Sequence, residues 1–345
     1  MRAKVTLKEI AQEVGMSTSA VSLVLNDRPC RISEDKRRLI REVAARKRYV
    51  PNLIARSLVM QQSQTVGLIV PNIESRFFSR VARNVEVRLR ERGYALFIMN
   101  SDFSSEREDE LVRLLLNRGV DGLLLITASE LDADQGLVDI LDHLPVPLVM
   151  VDRFIDGVPG DRVRFDSELG GYLATSHLIE AGHERIACLV NTSSHNGRSR
   201  LAGYRRAYLE HGIEVDDGLV FPSDYTIADG AAAAERLAET DATAIFASSD
   251  SIALGVLKTL YARGRRVPRD YSLVSYDNSA ADALFEPALT AIEQDSAELA
   301  RNAVDLLLAR VEGASGEAGP SAAERPFEDR VLPPRLVVNM SVSPR

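Results

Sequence analysis

The chain has 345 residues, 45% hydrophobic and 27% charged, with a formal net charge of −8, which predicts more than one packed domain. No apolar run approaches the ~20 residues that span a bilayer, and the N-terminal stretch MRAKVTLKE carries no secretory signal. Cys30 and Cys188 are too few and too far apart for a disulfide framework or a zinc site, so membrane-spanning, exported and cysteine-stapled classes are excluded and the cytoplasm is the expected compartment.

The charge is unevenly spread. Residues 1–60 hold 13 Lys/Arg against 6 Asp/Glu, a net of +7, which leaves −15 on the remainder. A basic head on an acidic body is the pattern of a polyanion-binding module attached to something else. Within the head, Thr6 and Glu9 have capping-box spacing, and Leu7, Ile10, Ala11 and Val14 recur on one helical face. Gly15 permits a sharp turn, and Ser17 caps a second helix with Val21, Val24 and Leu25 inward. Two short helices joined by a tight turn match a helix-turn-helix, whose second helix enters the major groove by its N-terminal residues. Ser33 begins a third helix, with Leu39, Ile40, Val43 and Ala44 as its buried stripe and Lys36, Arg37, Arg38, Arg41, Arg46, Lys47 and Arg48 solvated. Pro51 interrupts it, and Leu53–Val59 has length for about two turns, too short to be stable alone.

From Thr65 the pattern alternates. Strands are expected at Thr65–Val70, Ala95–Met99, Gly122–Ile126, Leu148–Asp152, Ile186–Val190, Ala244–Ala247, Ser272–Tyr276 and Arg335–Met340. Helices are expected at Ser79–Arg92, Glu106–Arg118, Leu169–Ala181, Arg198–His211, Ala228–Glu239, Ser251–Arg263 and Ser296–Val311, with a loose stretch at Glu312–Pro326. Short Val/Ile/Leu runs between longer amphipathic runs imply parallel sheets covered by helices, and so many units imply two lobes. Ligands collect beyond the strand carboxyl ends of such sheets, which singles out Asp152, Ser249, Asp250 and Asp277. Asp250 has an equally good reading as the N-cap of the following helix.

TLKEIAQEVGMSTSAVSLVLN, SEDKRRLI and YVPNLIARSL resemble the LacI/GalR family of bacterial transcription regulators. The resemblance continues in order through GVDGLLL, AGHERIA, RLAGYRRA, SSDSIALGVL, RVPRDYSLVSYDN and PALTAIEQD, and so spans nearly the whole chain. It implies an all-α helix-turn-helix head at 1–50, a hinge helix or linker at 51–63, and a two-lobed α/β core like a periplasmic sugar-binding protein at 64–345. Lobe one is expected at 64–160 plus 293–325, and lobe two at 161–292 plus 326–345.

In the head, Thr18 and Ser19 match positions that reach into the major groove, with Ser22 and Asn26 on the same exposed face. Leu23 replaces a residue that is often polar, which leaves either a thymine-methyl contact or a silent position. Thr6 and Ser17 sit at helix N-termini suited to phosphate oxygens. Leu58 matches the leucine that the family wedges into the minor groove, flanked by Ala55 and Arg56.

In the core, the resemblance places Phe77, Phe78, Asp152, Arg153, Asp166, Asn196, Arg200, Tyr225, Ser249, Asp277 and Gln294 around an effector cleft. Carboxylates accept sugar hydroxyls, guanidiniums donate to them and rings stack on the apolar sugar face, so the expected effector is a carbohydrate. The purine-binding branch carries arginine where this chain has Ser194, which disfavours a purine. Ile252, Val256, Leu257, Leu284 and Phe285 match the dimer face. Two heads on a pseudo-palindromic operator are then controlled through thermodynamic linkage to the effector. The chain closes after a strand with no heptad tail, which predicts dimers and not tetramers.

The rival readings are a solute-binding receptor, which would need export, and an enzyme. G-x-S-x-G, P-loop, dinucleotide-binding glycine and H-E-x-x-H patterns are missing from the sequence, and its five histidines (143, 177, 183, 195 and 211) have no metal-ligand spacing. No catalytic residue, metal or cofactor is expected. A cytoplasmic, nucleoid-associated repressor is.

Overall fold

The computed structural model describes residues 5–25, 29–49, 62–128, 130, 133–279, 286–313 and 325–345. Asn26, Ala55, Arg56, Leu58, Leu284 and Phe285 lie outside the described residues. The chain divides into two compact units at Ser63/Gln64.

The first unit holds α1 (Leu7–Glu13), α2 (Thr18–Leu25) and α3 (Glu34–Arg46) around Ile10, Val21, Val24, Ile40 and Val43. The Thr6 hydroxyl accepts from the Glu9 amide at 3.3 Å and donates to the Glu9 carboxylate at 3.1 Å, so Glu9 meets the hydroxyl of its cap. Gly15 turns with φ 66°, and Ser17 Oγ accepts from the Ala20 amide at 3.2 Å. Ser33 holds the N-cap position of α3 without a side-chain capping bond. Two readings are corrected here. Leu39 is 45% exposed and not part of the buried stripe. Arg37 is not simply solvated: its guanidinium donates to the carbonyls of Ile32 and Cys30 at 3.1 and 2.7 Å, bracing the approach to α3.

The second unit contains two six-stranded sheets. The first is ordered β2 (Ala95–Asn100), β1 (Thr65–Val70), β3 (Gly122–Leu125), β4 (Leu148–Val151), β5 (Asp161–Phe165) and β11 (Asp329–Leu332), parallel throughout. The second is ordered β7 (Val220–Pro222), β6 (Ile186–Val190), β8 (Ala244–Ala247), β9 (Ser272–Asp277), β10 (Thr290–Glu293) and β12 (Arg335–Val337), with only β12 antiparallel. Helices α4 (Arg76–Glu91) and α11 (Ser296–Gly313) cover one face of the first sheet, and α5 (Ser105–Asn117) and α6 (Gln135–Asp142) the other. On the second sheet, α7 (Ser167–Glu180) and α8 (His195–Glu210) pack opposite α9 (Ile227–Leu237) and α10 (Asp250–Ala262). Both sheets follow one winding plan, so each has a switch point, between β1 and β3 and between β6 and β8.

The lobe boundaries differ from expectation. Asp161–Phe165 and Asp329–Leu332 pair with each other in the first sheet, although both were expected in lobe two. Their charged residues disguise them as loop. Asp161 is fully buried, and Arg310 of α11 answers its charge, with Nη2 donating to Oδ1 at 2.8 Å. The chain crosses between sheets three times: after β5, after β10, and at Pro333-Pro334 between β11 and β12.

Candidate effector cleft and nucleic-acid interface

The carboxyl ends of both sheets open onto one cleft of about 300 Å³. Phe77 and Phe78, at the start of α4, form one wall while also packing into the core beneath. Asp152 and Arg153 follow β4, and Asp277 ends β9. Both aspartates hold left-handed backbone, with φ 63° and 83°, a conformation that a short polar side chain tolerates. Gln294 follows β10, and Ser249 precedes α10. Asn196 and Arg200 come from the first two turns of α8, and Tyr225 from beyond β7.

Arg200 is buried at the centre of this group. Its Nη1 donates to the Ser248 carbonyl at 2.6 Å, and its guanidinium lies 3.7 Å from the Tyr276 ring centroid. Arg153 sits over the rings of Phe78 and Tyr225, 5.4 and 5.2 Å from their centroids. Burial pushes the Asp277 carboxyl up to about 7, against the pull of Arg200. It also raises Asp152, against Arg153 and Arg200, and Glu130, against Arg153. Both polar side-chain atoms of Gln294, Nε of Arg153 and Nε of Arg200 have no hydrogen-bond partner in the protein. Buried polar atoms left this way are costly unless a ligand pairs with them.

Ten of the eleven expected cleft residues meet here; Asp166 does not. It caps α7, accepting from the Leu169 amide at 2.9 Å, and lines a separate pocket beyond Asn196 with Phe154 and Arg164. The capping reading of Asp250 is also corrected. Ser249 is the cap, accepting from the Ile252 amide at 3.2 Å. The Asp250 carboxylate instead accepts from Ser275 Oγ at 2.7 Å and from the Ser279 amide at 2.7 Å, fastening the end of β9. Ser194 caps α8 and meets the Tyr225 hydroxyl at 3.0 Å.

Asn72, Glu74, Ser75, Phe103, Thr226, Ile227 and Ser251 also line the cleft, and sequence reasoning missed them. The strand-end rule applied to β2 would have found Phe103. Glu130, beyond β3, accepts from the His195 amide at 2.6 Å, while the His195 ring stacks on Phe154 at 5.1 Å and meets Asp156 at 3.1 Å. These contacts join the two lobes at the rim.

The dimer assignments fail for the residues that can be seen. Ile252, Val256 and Leu257 are at most 4% exposed and form the core between α10 and the second sheet, so they present nothing to a partner. Apolar side chains are left uncovered instead on the edge strand β2, where Phe97 and Ile98 are each 42% exposed.

In the head, Thr18 and Ser19 are exposed on the first turn of α2, Leu23 is 39% exposed on the same helix, and Ser22 is half-buried. Glu13 at the end of α1 pairs with Arg46 and with Lys47, the latter at 2.7 Å, which fixes the end of α3 against α1. Thr6 and Ser17 stand at helix N-termini, where unpaired amides suit phosphate oxygens.

A helix-turn-helix head carried by a chain with a two-sheet ligand-binding core defines a DNA-binding transcription regulator. Residues 6–52 match the model of the bacterial regulatory proteins of the lacI family, and residues 175–342 match the periplasmic binding protein-like domain. The HTH-type transcriptional repressor PurR of Photobacterium profundum is 33% identical over 349 residues, covering 98% of each chain. The lac repressor dimer bound to operator and the anti-inducer ONPF superposes with a TM-score of 0.83 at 26% identity, over 99% of this chain and 100% of that one. The transcriptional regulator CelR in complex with cellobiose superposes at 0.70 with 32% identity, over 98% and 100%. The chain belongs to the lacI family of bacterial regulatory proteins.

Proposed function

We propose that this regulator is a repressor whose grip on a pseudo-palindromic operator is set by a carbohydrate in the cleft. The observation that carries the effector reading is the set of buried polar atoms on Gln294, Arg153 and Arg200 that the protein leaves without partners. A ring of hydroxyls satisfies them while donating to Asp152 and Asp277 and stacking on Phe77, Phe78 or Tyr225. Asn196 and Ser249 close the polar ring. The cellobiose held by CelR is a ligand of the same chemistry.

In this reading Thr18, Ser19, Ser22 and Asn26 read base edges or phosphates, Leu23 faces the groove, and Thr6 and Ser17 hold phosphates. Ala55, Arg56 and Leu58 form the minor-groove hinge, with Leu58 as the wedge. A homodimer supplies two heads, as in the lac repressor dimer on its operator. A second copy covers the apolar β2 edge, since Phe97 and Ile98 are otherwise an unprotected sheet margin. The protein binds and releases and does not catalyse, and it works in the cytoplasm on the nucleoid. Among the described residues no helix is long and apolar enough to cross a membrane.

The test is fluorescence anisotropy of operator fragments selected from the genome, at about 50 and 200 mM salt, with and without sugars. Salt-sensitive retention that a sugar alters, and that Leu58→Ala weakens strongly, is the expected result. Absence of salt-sensitive retention of any fragment rejects the proposal.

A further inference from the structure

The cleft is one of two abutting chambers. The inner chamber, about 300 Å³, holds Asp152, Arg200, Asp277 and Gln294. The outer chamber, about 400 Å³, is lined by Glu130, Asn191, Ser193 and Asp224. Phe103, Arg153, Tyr225 and Thr226 line both and so stand where the two adjoin.

Phe103 is held at that junction by its backbone. Its ring is 44% exposed, and its backbone has φ 59°, directly after Asp102 at φ 56°. A bulky residue in the left-handed region is an outlier, and packing does not account for one so exposed. Its amide donates to the Pro71 carbonyl at 3.0 Å, which holds the strained turn in place at the end of β1. An aromatic ring held out over a polar cleft is a stacking platform for the apolar face of a sugar.

Charge selects among sugars. Glu74, Asp152 and Asp277 face the inner chamber, and Glu130 and Asp224 the outer, against Arg153 and Arg200 alone. Each guanidinium is partly engaged, Arg200 with the Ser248 carbonyl and the Tyr276 ring and Arg153 with the rings of Phe78 and Tyr225, which leaves Nε of each for a ligand oxygen. Among the described residues no lysine lines either chamber. A phosphate or carboxylate entering here meets five carboxyl groups against two guanidiniums, a lining that disfavours added negative charge, whereas hydroxyls can donate to these carboxyl oxygens without adding charge.

We infer that the effector is an uncharged sugar of at least two linked rings, one seated in each chamber, with Phe103 and Tyr225 flanking the linkage. The inference rests on the carbohydrate reading above. It is tested by titration calorimetry of the full chain with cellobiose, maltose, lactose and trehalose, with glucose and galactose, and with glucose 6-phosphate. One disaccharide binds roughly thirty-fold or more tightly than its component monosaccharides, and glucose 6-phosphate binds no better than glucose. Phe103→Ala costs that disaccharide roughly ten-fold, more than it costs the monosaccharide, and Phe103→Tyr restores most of the difference. A monosaccharide that binds as tightly as every disaccharide, or a tighter sugar phosphate, overturns the two-ring inference and leaves the carbohydrate reading standing. Absence of heat with all of these probes, in protein that retains operator DNA, overturns both.

Discussion

Arg200 joins the two halves of the cleft's chemistry: its Nη1 is spent on the Ser248 carbonyl while its Nε has no protein partner. A ligand oxygen paired with Nε gains a charge-assisted hydrogen bond. Arg200→Ala therefore weakens effector binding by roughly ten- to hundred-fold, the equivalent of about 1.5–3 kcal/mol, and abolishes the effector's influence on operator affinity while operator binding itself persists. Anisotropy titrations with and without sugar separate the two readouts. Glu108 poses a different question, since it is fully buried yet accepts from the Ala128 amide at 2.6 Å, Thr127 Oγ1 at 2.9 Å and Ser101 Oγ at 3.2 Å. Burial outweighs these donors and pushes its carboxyl up to about 7, as it does for Asp277. Between about pH 4 and 7 the folded core thus keeps protons that the unfolded chain has released, and these two groups make stability fall as pH rises through that window. Glu108→Gln flattens the fall in melting temperature between pH 5 and 7; an unchanged slope would show that Glu108 does not titrate there.

The element that positions Arg200 is the α7–α8 pair. A Cβ on Gly171 would lie 2.1 Å from the Arg200 carbonyl oxygen, so α8 approaches α7 as closely as it does only because that side chain is absent. Gly171→Ala is expected to cost about 1–3 kcal/mol of stability and to weaken effector binding as well, because it displaces the helix that carries Asn196 and Arg200. Equal effector affinity in a folded Gly171→Ala variant would contradict this. The same elements show what the sequence could and could not disclose. Strands with continuous Val/Ile/Leu runs, such as Thr65–Val70, Ile186–Val190 and Ala244–Ala247, read directly, because burial on both faces leaves no polar interruption. β5 did not, because its Asp161 is tolerable only through Arg310, a partner far along the chain that no local pattern reveals. Ten cleft residues were legible from strand ends and family motifs, and the strand-end rule also reaches Phe103 beyond β2, whereas Glu130 sits on a loop whose path only the folded chain displays. The faces of α10 were misjudged for a related reason. Gly230 and Gly255 let α9 come so close that Ile252, Val256 and Leu257 are enclosed within the chain.

At the scale of the whole molecule, the margin of the first sheet is the surface proposed to take a partner. An edge strand reading ALFIMN, exposed at Ala95, Phe97 and Ile98, is a liability for a free chain. Phe97→Glu is expected to shift the mass seen in sedimentation from dimer to monomer and to weaken operator binding, since two half-sites are then no longer engaged together. A dimer that survives Phe97→Glu and Ile98→Lys together would place the contact elsewhere. The three crossings between sheets have an effect on how this protein is made. β11 and β12, each at the end of its sheet's strand order, are contributed by residues 329–337, so both sheets lack a strand until those residues have left the ribosome. Long-range pairing of this kind is slow and leaves apolar surface open meanwhile. A nonsense codon anywhere before Asp329 therefore damages both lobes at once, and its product goes to proteolysis, not to a half-working regulator.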